Sequence, residues 1–185
     1  PWRSPWAHRS RVATPPERRR NARLVIPAAN ITAWAGQAPW PTRDQVEQDL
    51  VLSRLIVMIA EHDLLGSDLV FRGGTCLHKR PLPAPLRYSE DLDYVRTTSG
   101  GIAPVTRALT EIGEGLGFDV STNVSTHPKV RYRGQFTASG SPMRVKVEIN
   151  THERETARSL IRLPHAVESP WWSGQADVLT FVAVE

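Results

Sequence analysis

The order of apolar patterns along the chain predicts one mixed α/β (α+β) domain. A helix-type pattern precedes a short apolar strand, a second strand is followed by a second helix-type pattern, and several extended runs complete the sequence. The chain shows no internal repeat, and its 185 residues suffice for one domain with a single core. We therefore expect a mixed sheet flanked by helices.

The first helix is predicted from Arg43 to Leu65. Thr42 and Gln45 have the spacing of a capping box, and Gly66 ends the pattern. The helical period divides this segment into a buried face and a solvent face. The buried face is predicted to hold Val46, Leu50, Leu55, Met58 and Ile59, and the solvent face Arg43, Glu47 and Arg54.

Glycine and proline mark the ends of the elements that follow. We expect a strand over 68–71, a turn at Gly73-Gly74, a helical turn over 75–79, and then a stiff loop that contains three prolines. The later patterns predict a strand at 92–95, a helix at 102–116, and extended runs at 118–124, 130–137 and 143–150, the last two joined as a hairpin. The apolar run 177–184 is of strand or early-helix type, and we expect more chain to follow it.

The N-terminal part differs in composition from the rest. Residues 1–23 carry seven arginines against one acid, Glu17, so the remainder of this chain of net charge +4 is close to neutral. We expect a flexible basic arm over 1–40 and a folded domain over 41–185. The arm has two interpretations: a solvated tail, or an arm that follows nucleic-acid phosphates by releasing counterions.

The composition also limits location and redox chemistry. No apolar run approaches the roughly 20 residues that cross a bilayer, and no apolar segment follows the basic N-terminus as in a secretory signal. Cys76 is the single cysteine, so no internal disulfide can form. We therefore expect a cytoplasmic protein without membrane contact, in which Cys76 is a small buried hydrophobe.

The segment RYSEDLDYV concentrates carboxylates. Residues i and i+2 of a strand share a face, so Asp91 and Asp93 project together. Two close carboxylates repel each other unless a cation neutralises them, and their oxygens suit Mg²⁺ or Mn²⁺. In RVKVEIN the same alternation places Lys146 and Glu148 on the face opposite to the apolar side chains. Glu148 is therefore the candidate third carboxylate of a metal site, and Lys146 is a candidate for balancing phosphate charge.

Gly73 and Gly74 supply a second feature of the candidate site. Without Cβ atoms they let the backbone approach a triphosphate, and Thr75 can donate its hydroxyl there. The segment is not a P-loop, since the spaced glycine and the Lys-Ser/Thr pair are absent. Each piece alone has an ordinary structural interpretation, as a turn, a pair of surface charges or a half-buried strand. Their order along the chain is what points to nucleotidyl transfer.

Together, FRGGTCLHK, RYSEDLDYV and KVEIN resemble the AbiEii/AbiGii toxin family, nucleotidyltransferases of bacterial toxin–antitoxin and abortive-infection systems. The resemblance covers about residues 42–150. It implies a DNA polymerase β-like nucleotidyltransferase core that uses a nucleoside triphosphate (NTP) with Mg²⁺ or Mn²⁺. It also implies that the toxin adds nucleotides to RNA, with the tRNA 3′ end as the expected acceptor, that it blocks translation, and that a cognate antitoxin neutralises it.

The resemblance assigns roles to particular residues. Nucleotide binding falls to Gly73, Gly74, Thr75, Arg87 and Ser89; metal binding to Asp91, Asp93 and Glu148; and catalysis to these three carboxylates with Lys146. The chain departs from the family in one respect, because the later Lys...Arg...Arg-Asp-x-x-Asp motif is absent. DVLTFVAVE resembles the segment before that motif, so we expect a chain shortened at its C-terminus, either a fragment or a natural short form.

Two other hypotheses remain beside the enzyme. A catalytically incomplete relative would bind nucleotide or antitoxin without transfer, and the missing motif favours this alternative. A regulatory RNA-binding domain would instead depend on the arginine-rich arm. Trp171-Trp172 allows base stacking, although a buried or partner-covered pair is at least as good an interpretation.

Overall fold

The computed structural model describes residues 24–38, 40–79, 88–152 and 159–181. Their helices are α1 (Ala28–Trp34), α2 (Arg43–Glu61), α3 (Asp63–Asp68), α4 (Gly73–His78) and α5 (Ala103–Gly115). Their strands are β1 (Leu69–Arg72), β2 (Asp91–Arg96), β3 (Asp119–Asn123), β4 (Lys129–Gln135), β5 (Pro142–Asn150), β6 (Leu160–Glu168) and β7 (Ser173–Phe181).

The strands form one mixed sheet in the order β3-β4-β5-β2-β1-β7-β6. The pairs β2–β5 and β1–β7 are parallel, and the other neighbours are antiparallel. Apolar side chains of β2, β4 and β5 are buried, and the Tyr132 hydroxyl of β4 donates to the Leu109 carbonyl of α5, which places that helix on the apolar face. The predicted α+β class, a mixed sheet flanked by helices, is confirmed, as is the β4–β5 hairpin.

Helix α2 begins as the sequence predicts but ends earlier. Thr42 and Gln45 form the capping box in both directions. The expected continuation to residue 65 is wrong, because His62 has an extended backbone and its Nδ1 accepts hydrogen bonds from the amides of Leu64 and Leu65. His62 is thus a new N-cap that starts the short helix α3.

Two side chains predicted for the solvent face of α2 lie inside the protein. Glu47 is fully buried, and its carboxylate accepts hydrogen bonds from the Thr137 amide, with the shorter at 2.9 Å. Arg54 is half-buried, with its guanidinium 4.7 Å and 5.0 Å from ring centroids of Trp171 and Trp172. The helix packs against other elements on more than one side, so a single amphipathic division fails. Met58, which was predicted for the buried face of this helix, is only half-buried.

Part of the expected basic arm belongs to the folded domain. Residues 24–38 contain α1, and Ile26, Ile31 and Trp34 are buried in the common core. Their three apolar anchors are separated by small and polar residues, so composition alone did not distinguish them from the arginine-rich segment. Residues 1–23 lie outside the part of the chain that the structure describes.

The C-terminal strands complete one side of the sheet. The apolar run predicted from 177 onward belongs to β7, which places Thr180 beside Phe71 of β1; residues 182–184 of that run lie outside the described ranges. Strand β6 was not predicted, since Pro164 and alternating polar residues weaken its pattern. Proline is tolerated there because β6 is the outermost strand.

Cys76 is buried, as the sequence predicts. It is 4% exposed, and its thiol contacts the Phe71 carbonyl and the Thr180 hydroxyl.

Among the helices in the described ranges, none is long and apolar enough to cross a membrane.

Candidate active site

The parallel pairing of β2 with β5 brings four predicted site residues together. Asp91 lies beside Lys146, and Asp93 lies beside Glu148, two residues farther along both strands. Leu92 and its neighbours on β5 are buried on the opposite face, and this fixes which way the polar side chains point. All four polar side chains therefore share one partly exposed face of the sheet.

Lysine side chains bridge the carboxylates of this face. The Lys146 ammonium lies 3.0 Å from Asp91 Oδ2 and 3.2 Å from Glu148 Oε2. Lys129 of β4 adds a third contact, with its Nζ 3.3 Å from Glu148 Oε2. Lys129 was not predicted as a site residue. The signal that could have found it is the same alternation that placed Lys146, since β4 is the hairpin partner of β5.

The carboxylates differ in how their charge is stabilised. Burial raises the pKa of Asp93, and repulsion from Asp91 adds to that rise. Burial also acts to raise the pKa of Glu148, but hydrogen bonds from Lys146 and Lys129 outweigh it and hold the pKa below its usual value. The bond to Asp91 raises the pKa of Lys146. Asp93 is thus the carboxylate that would gain most from an additional cation.

Gly73 brings the start of α4 against Asp93. Its φ of +81° lies in the left-handed region, which favours glycine. A Cβ at this position would lie 2.4 Å from Asp93 Oδ2. Gly74 is exposed, and a Cβ there would lie 3.1 Å from Ser89 Oγ. The predicted turn at Gly73-Gly74 is wrong, because both glycines belong to the start of α4. Their lack of Cβ atoms allows a backbone approach to the acidic strand that side chains would block.

Gly73→Ala is expected to reduce strongly the nucleotide transfer that the family resemblance implies, because the new methyl group must displace the Asp93 carboxylate. The left-handed backbone adds a cost of about 1 to 2 kcal/mol in stability. Labelled-nucleotide transfer and thermal melting measure the two effects. Gly115→Ala is the control, since a Cβ there meets nothing within 4 Å. Full transfer activity in a folded Gly73→Ala variant would contradict the expected contact.

Thr75 has a different environment from the one predicted. It is fully buried; its hydroxyl donates to the Asp91 carbonyl and lies 2.9 Å from Ser89 Oγ. The hydroxyl expected to contact a phosphate instead joins α4 to the start of β2. Ser89 is half-buried in the same contact. Arg87, the remaining predicted nucleotide-binding residue, and the proline-rich loop before it lie outside the described residues.

The donor types at this site fit a divalent metal, but the carboxylates are not arranged around one. In the described ranges no three His, Cys, Asp or Glu side chains form a group that could hold a metal ion. The Lys146 ammonium contacts both Asp91 and Glu148. Carboxylate oxygens are the ligands that Mg²⁺ prefers, and the mutual repulsion at Asp93 favours a cation there. Asp91 and Asp93 are thus the best candidates to hold one.

A buried polar cluster that the sequence analysis missed lies at the other end of α4. Asp49 of α2 is 1% exposed. Its Oδ1 accepts from Lys79 Nζ at 2.6 Å and from Trp34 Nε1 at 2.9 Å, and its Oδ2 accepts from Trp40 Nε1 at 2.9 Å. His78 Nε2 lies 3.5 Å from Oδ2. These five residues, the Asp49 cluster, connect α1, α2 and the end of α4.

Burial and their mutual contact both act on the pKa values of Asp49 and Lys79. Burial acts to raise the pKa of Asp49, but the contacts from His78, Lys79 and Trp40 outweigh it and hold the pKa far below its usual value. Burial lowers the pKa of Lys79, and Asp49 opposes that shift. A buried aspartate within a helix pattern has no sequence signal of its own, because its partners lie 9 to 30 residues away along the chain.

His165 of β6 gives the protein a pH-dependent stability. Burial lowers its pKa to about 4, and the neighbouring charge of Lys79 acts in the same direction, while Asp49 opposes it. Between pH 6.5 and 4 the unfolded chain binds a proton at this position that the folded protein does not bind, so stability falls as the pH falls. We expect the free energy of unfolding to drop by up to about 3 kcal/mol over this range.

Denaturant unfolding of the wild type and of His165→Leu, at pH 7 and at pH 4, measures this contribution. The difference between the two proteins isolates His165 from the other titrating groups. The variant should lose less stability on acidification than the wild type. An equal loss in both proteins would show that His165 does not titrate with a lowered pKa.

Comparison with known proteins gives one family and several solved structures. The family model described as "Nucleotidyl transferase AbiEii toxin, Type IV TA system" matches residues 54–184, more than half of the chain. No curated protein sequence matches the chain.

Two solved structures illustrate the structural likeness. MenT4, a nucleotidyltransferase toxin from Mycobacterium tuberculosis H37Rv, is 23% identical with a TM-score of 0.48; the match covers 81% of this chain and 53% of MenT4. JHP933 from Helicobacter pylori is 11% identical with a TM-score of 0.41, and the match covers 63% of this chain and 47% of JHP933. The chain thus spans about half the length of these solved structures.

Proposed function

This chain belongs to the AbiEii family of nucleotidyl transferase toxins, and we propose that it transfers a nucleoside monophosphate from an NTP to RNA. The proposed acceptor is the 3′ end of tRNA, whose modification would block translation. A cognate antitoxin is the proposed neutralising partner, in keeping with the toxin–antitoxin description of the family. The proposed site of action is the cytoplasm.

One observation carries this proposal: Asp91, Asp93, Lys146 and Glu148 share one face, and Gly73 lies against Asp93. In the proposed reaction, the acceptor hydroxyl oxygen forms a bond to the α-phosphorus of the NTP, the bond to pyrophosphate breaks, and the hydroxyl proton is released to solvent. Negative charge develops on the phosphate oxygens during this exchange, so the site must supply positive charge near ionised carboxylates.

The chain's own residues have separate roles in this proposal. Asp91 and Asp93 hold Mg²⁺ or Mn²⁺, which when bound supplies charge neutralisation at the phosphates. Lys146 contributes a fixed positive charge beside them. Glu148, kept ionised by its two lysines, completes the carboxylate set. Gly73 and Gly74 admit the triphosphate to the start of α4, with Ser89 and Arg87 as further contacts, while Thr75 positions α4 from inside.

A second candidate function is a relative that binds nucleotide or antitoxin without transfer. The contacts of Lys146 with both Asp91 and Glu148 favour this candidate, because a metal ion would have to compete with the ammonium group for the same carboxylates. This candidate predicts measurable NTP binding with no incorporation at any protein concentration.

The experiment is transfer of α-labelled nucleotide from each of the four NTPs to total tRNA, with Mg²⁺ or Mn²⁺. Wild type is run beside Asp93→Asn, and tRNA is replaced by buffer as a blank. Incorporation by the wild type alone supports the enzyme. NTP binding without incorporation favours the second candidate. Neither NTP binding nor incorporation by a folded protein would contradict the enzyme and the nucleotide-binding form of the second candidate.

A further inference from the structure

Three arginines occupy the face of the sheet that carries Asp91. Arg131 and Arg133 lie on β4 and Arg144 on β5; Arg131 is opposite Lys146, and Arg133 is opposite Arg144. Val130, Tyr132 and Val145 alternate with them and are buried on the other face. We name Arg131, Arg133 and Arg144 the arginine track.

Among the described residues, the charges of the arginine track have no carboxylate partner. In the part of the chain that the structure describes, its members form no ion pair with a carboxylate, whereas Lys129 and Lys146 both contact Glu148. Asp119 is the cross-strand neighbour of Arg133, but it lies beyond ion-pair distance. Like charges placed directly opposite each other on a sheet are destabilising. An anion bound between Arg133 and Arg144 would relieve that repulsion.

The arginine track is continuous with the candidate active site. A groove of about 380 Å³ is lined by Asp91, Lys146 and all three arginines, together with Glu90. Arg133 and Arg144 are exposed at its outer end, and Arg131 is half-buried nearer Lys146. Positive charge therefore extends from Asp91 across β5 and β4.

The order of the strands separates this groove from the glycine turn. Gly73 follows β1, on one side of β2, whereas β5 and β4 lie on its other side. The triphosphate proposed to lie at Gly73 and Gly74 would thus approach the aspartates from the β1 side. The side of the aspartates that faces β5 and β4 is therefore open to the second substrate, the acceptor RNA.

We propose that the arginine track binds the phosphodiester backbone of the single-stranded 3′ end of the acceptor RNA and guides its terminal hydroxyl to Asp91. The inference rests on the proposed transfer to RNA and adds the path of that substrate. Guanidinium groups suit this role, because they contact phosphates in a bidentate manner and remain charged at all relevant pH values. Contacts of this kind position the strand without reading its sequence.

The test compares wild type with the double variant Arg131→Gln/Arg133→Gln. Binding of a fluorescently labelled tRNA is measured by anisotropy at several salt concentrations, and NTP binding is measured separately. The variant should bind tRNA about tenfold more weakly. Its salt dependence should also fall, since each lost phosphate contact on a single strand removes about 0.7 from the slope of log K against log salt. NTP affinity should not change.

The matched control is Arg107→Gln on α5, an exposed arginine of a helix that packs on the opposite face of the sheet. It should keep the tRNA affinity and salt slope of the wild type, and thermal melting checks that all variants are folded. Unchanged tRNA affinity and slope in the double variant would overturn the proposal. Loss of binding to polyglutamate with unchanged tRNA binding would also overturn it, by assigning the arginine track to an acidic protein segment.

Two outcomes distinguish the RNA path along the arginine track from the transfer reaction itself. If wild type binds tRNA through the arginine track but incorporates no nucleotide, the transfer reaction is contradicted and the RNA path stands. If wild type incorporates nucleotide and the double variant does so with the same KM for tRNA, the path is contradicted and the reaction stands.

Discussion

Asp93→Asn is expected to abolish nucleotide transfer while raising the melting temperature of the protein. Burial of Asp93, with repulsion from Asp91, raises the pKa of this carboxyl group, so the fold destabilises its negative charge. A carboxyl group with a raised pKa destabilises the folded protein once it ionises, so a neutral amide of the same shape removes that cost at pH 7. The same charge is needed to hold a metal, and its loss should lower the rate by about a thousandfold or more.

Transfer of labelled nucleotide and thermal melting at pH 7 measure the two effects together. The stability gain should disappear at a pH low enough to protonate Asp93 in the wild type. Asp177→Asn is the control, because Asp177 is an exposed carboxylate on β7, away from β2 and β5; it should change neither quantity. Retained transfer by a folded Asp93→Asn protein would remove the acidic strand from the reaction.

Asp49→Ala is expected to destabilise the protein by about 3 to 5 kcal/mol, because it leaves a buried lysine without its partner. The Trp34 and Trp40 indole N–H groups would also lose their acceptor. For a chain of this size the melting temperature should fall by about 10 °C. Since Lys79 directly follows α4, the loss should also weaken nucleotide transfer through the position of Gly73.

The double variant Asp49→Leu/Lys79→Met separates the charge from the packing. Replacing a buried ion pair by apolar side chains is often neutral, so the double variant should recover at least half of the lost stability. Chemical denaturation of the wild type, Asp49→Leu, Lys79→Met and the double variant completes the cycle. A melting temperature for Asp49→Ala within about 1 °C of wild type would show that the Asp49 cluster contributes little to stability.

Local patterns in the sequence predicted much of the sheet and one side of the candidate site. The two-residue period of strands placed Asp91 with Asp93, and Lys146 with Glu148, on faces opposite to buried apolar side chains. The paired glycines were predicted to let the backbone approach a triphosphate, and that contact stays a prediction; the left-handed φ of Gly73 shows a position that favours glycine. Each of these features depends on residues within a few positions of one another, which a sequence displays directly.

Other features escaped prediction because their partners are distant along the chain. Glu47 was assigned to solvent, yet it bonds the Thr137 amide, 90 residues away. Thr75 was predicted to bind phosphate, yet its hydroxyl donates a hydrogen bond to the Asp91 carbonyl and contacts Ser89 Oγ. Strand β6 became a strand through its pairing with β7, although Pro164 weakens its own pattern.

The sequence by itself determined the family, the α+β class and the polar faces of the individual strands. The tertiary structure alone decided that β2 pairs with β5 in the register that sets Asp93 beside Glu148, that Lys146 bridges two carboxylates, and that three arginines continue from them. The physical reason is that periodicity sets which way a side chain points from its own strand. Which strands become neighbours, and in what register, depends on burying the apolar faces of the whole sheet at once.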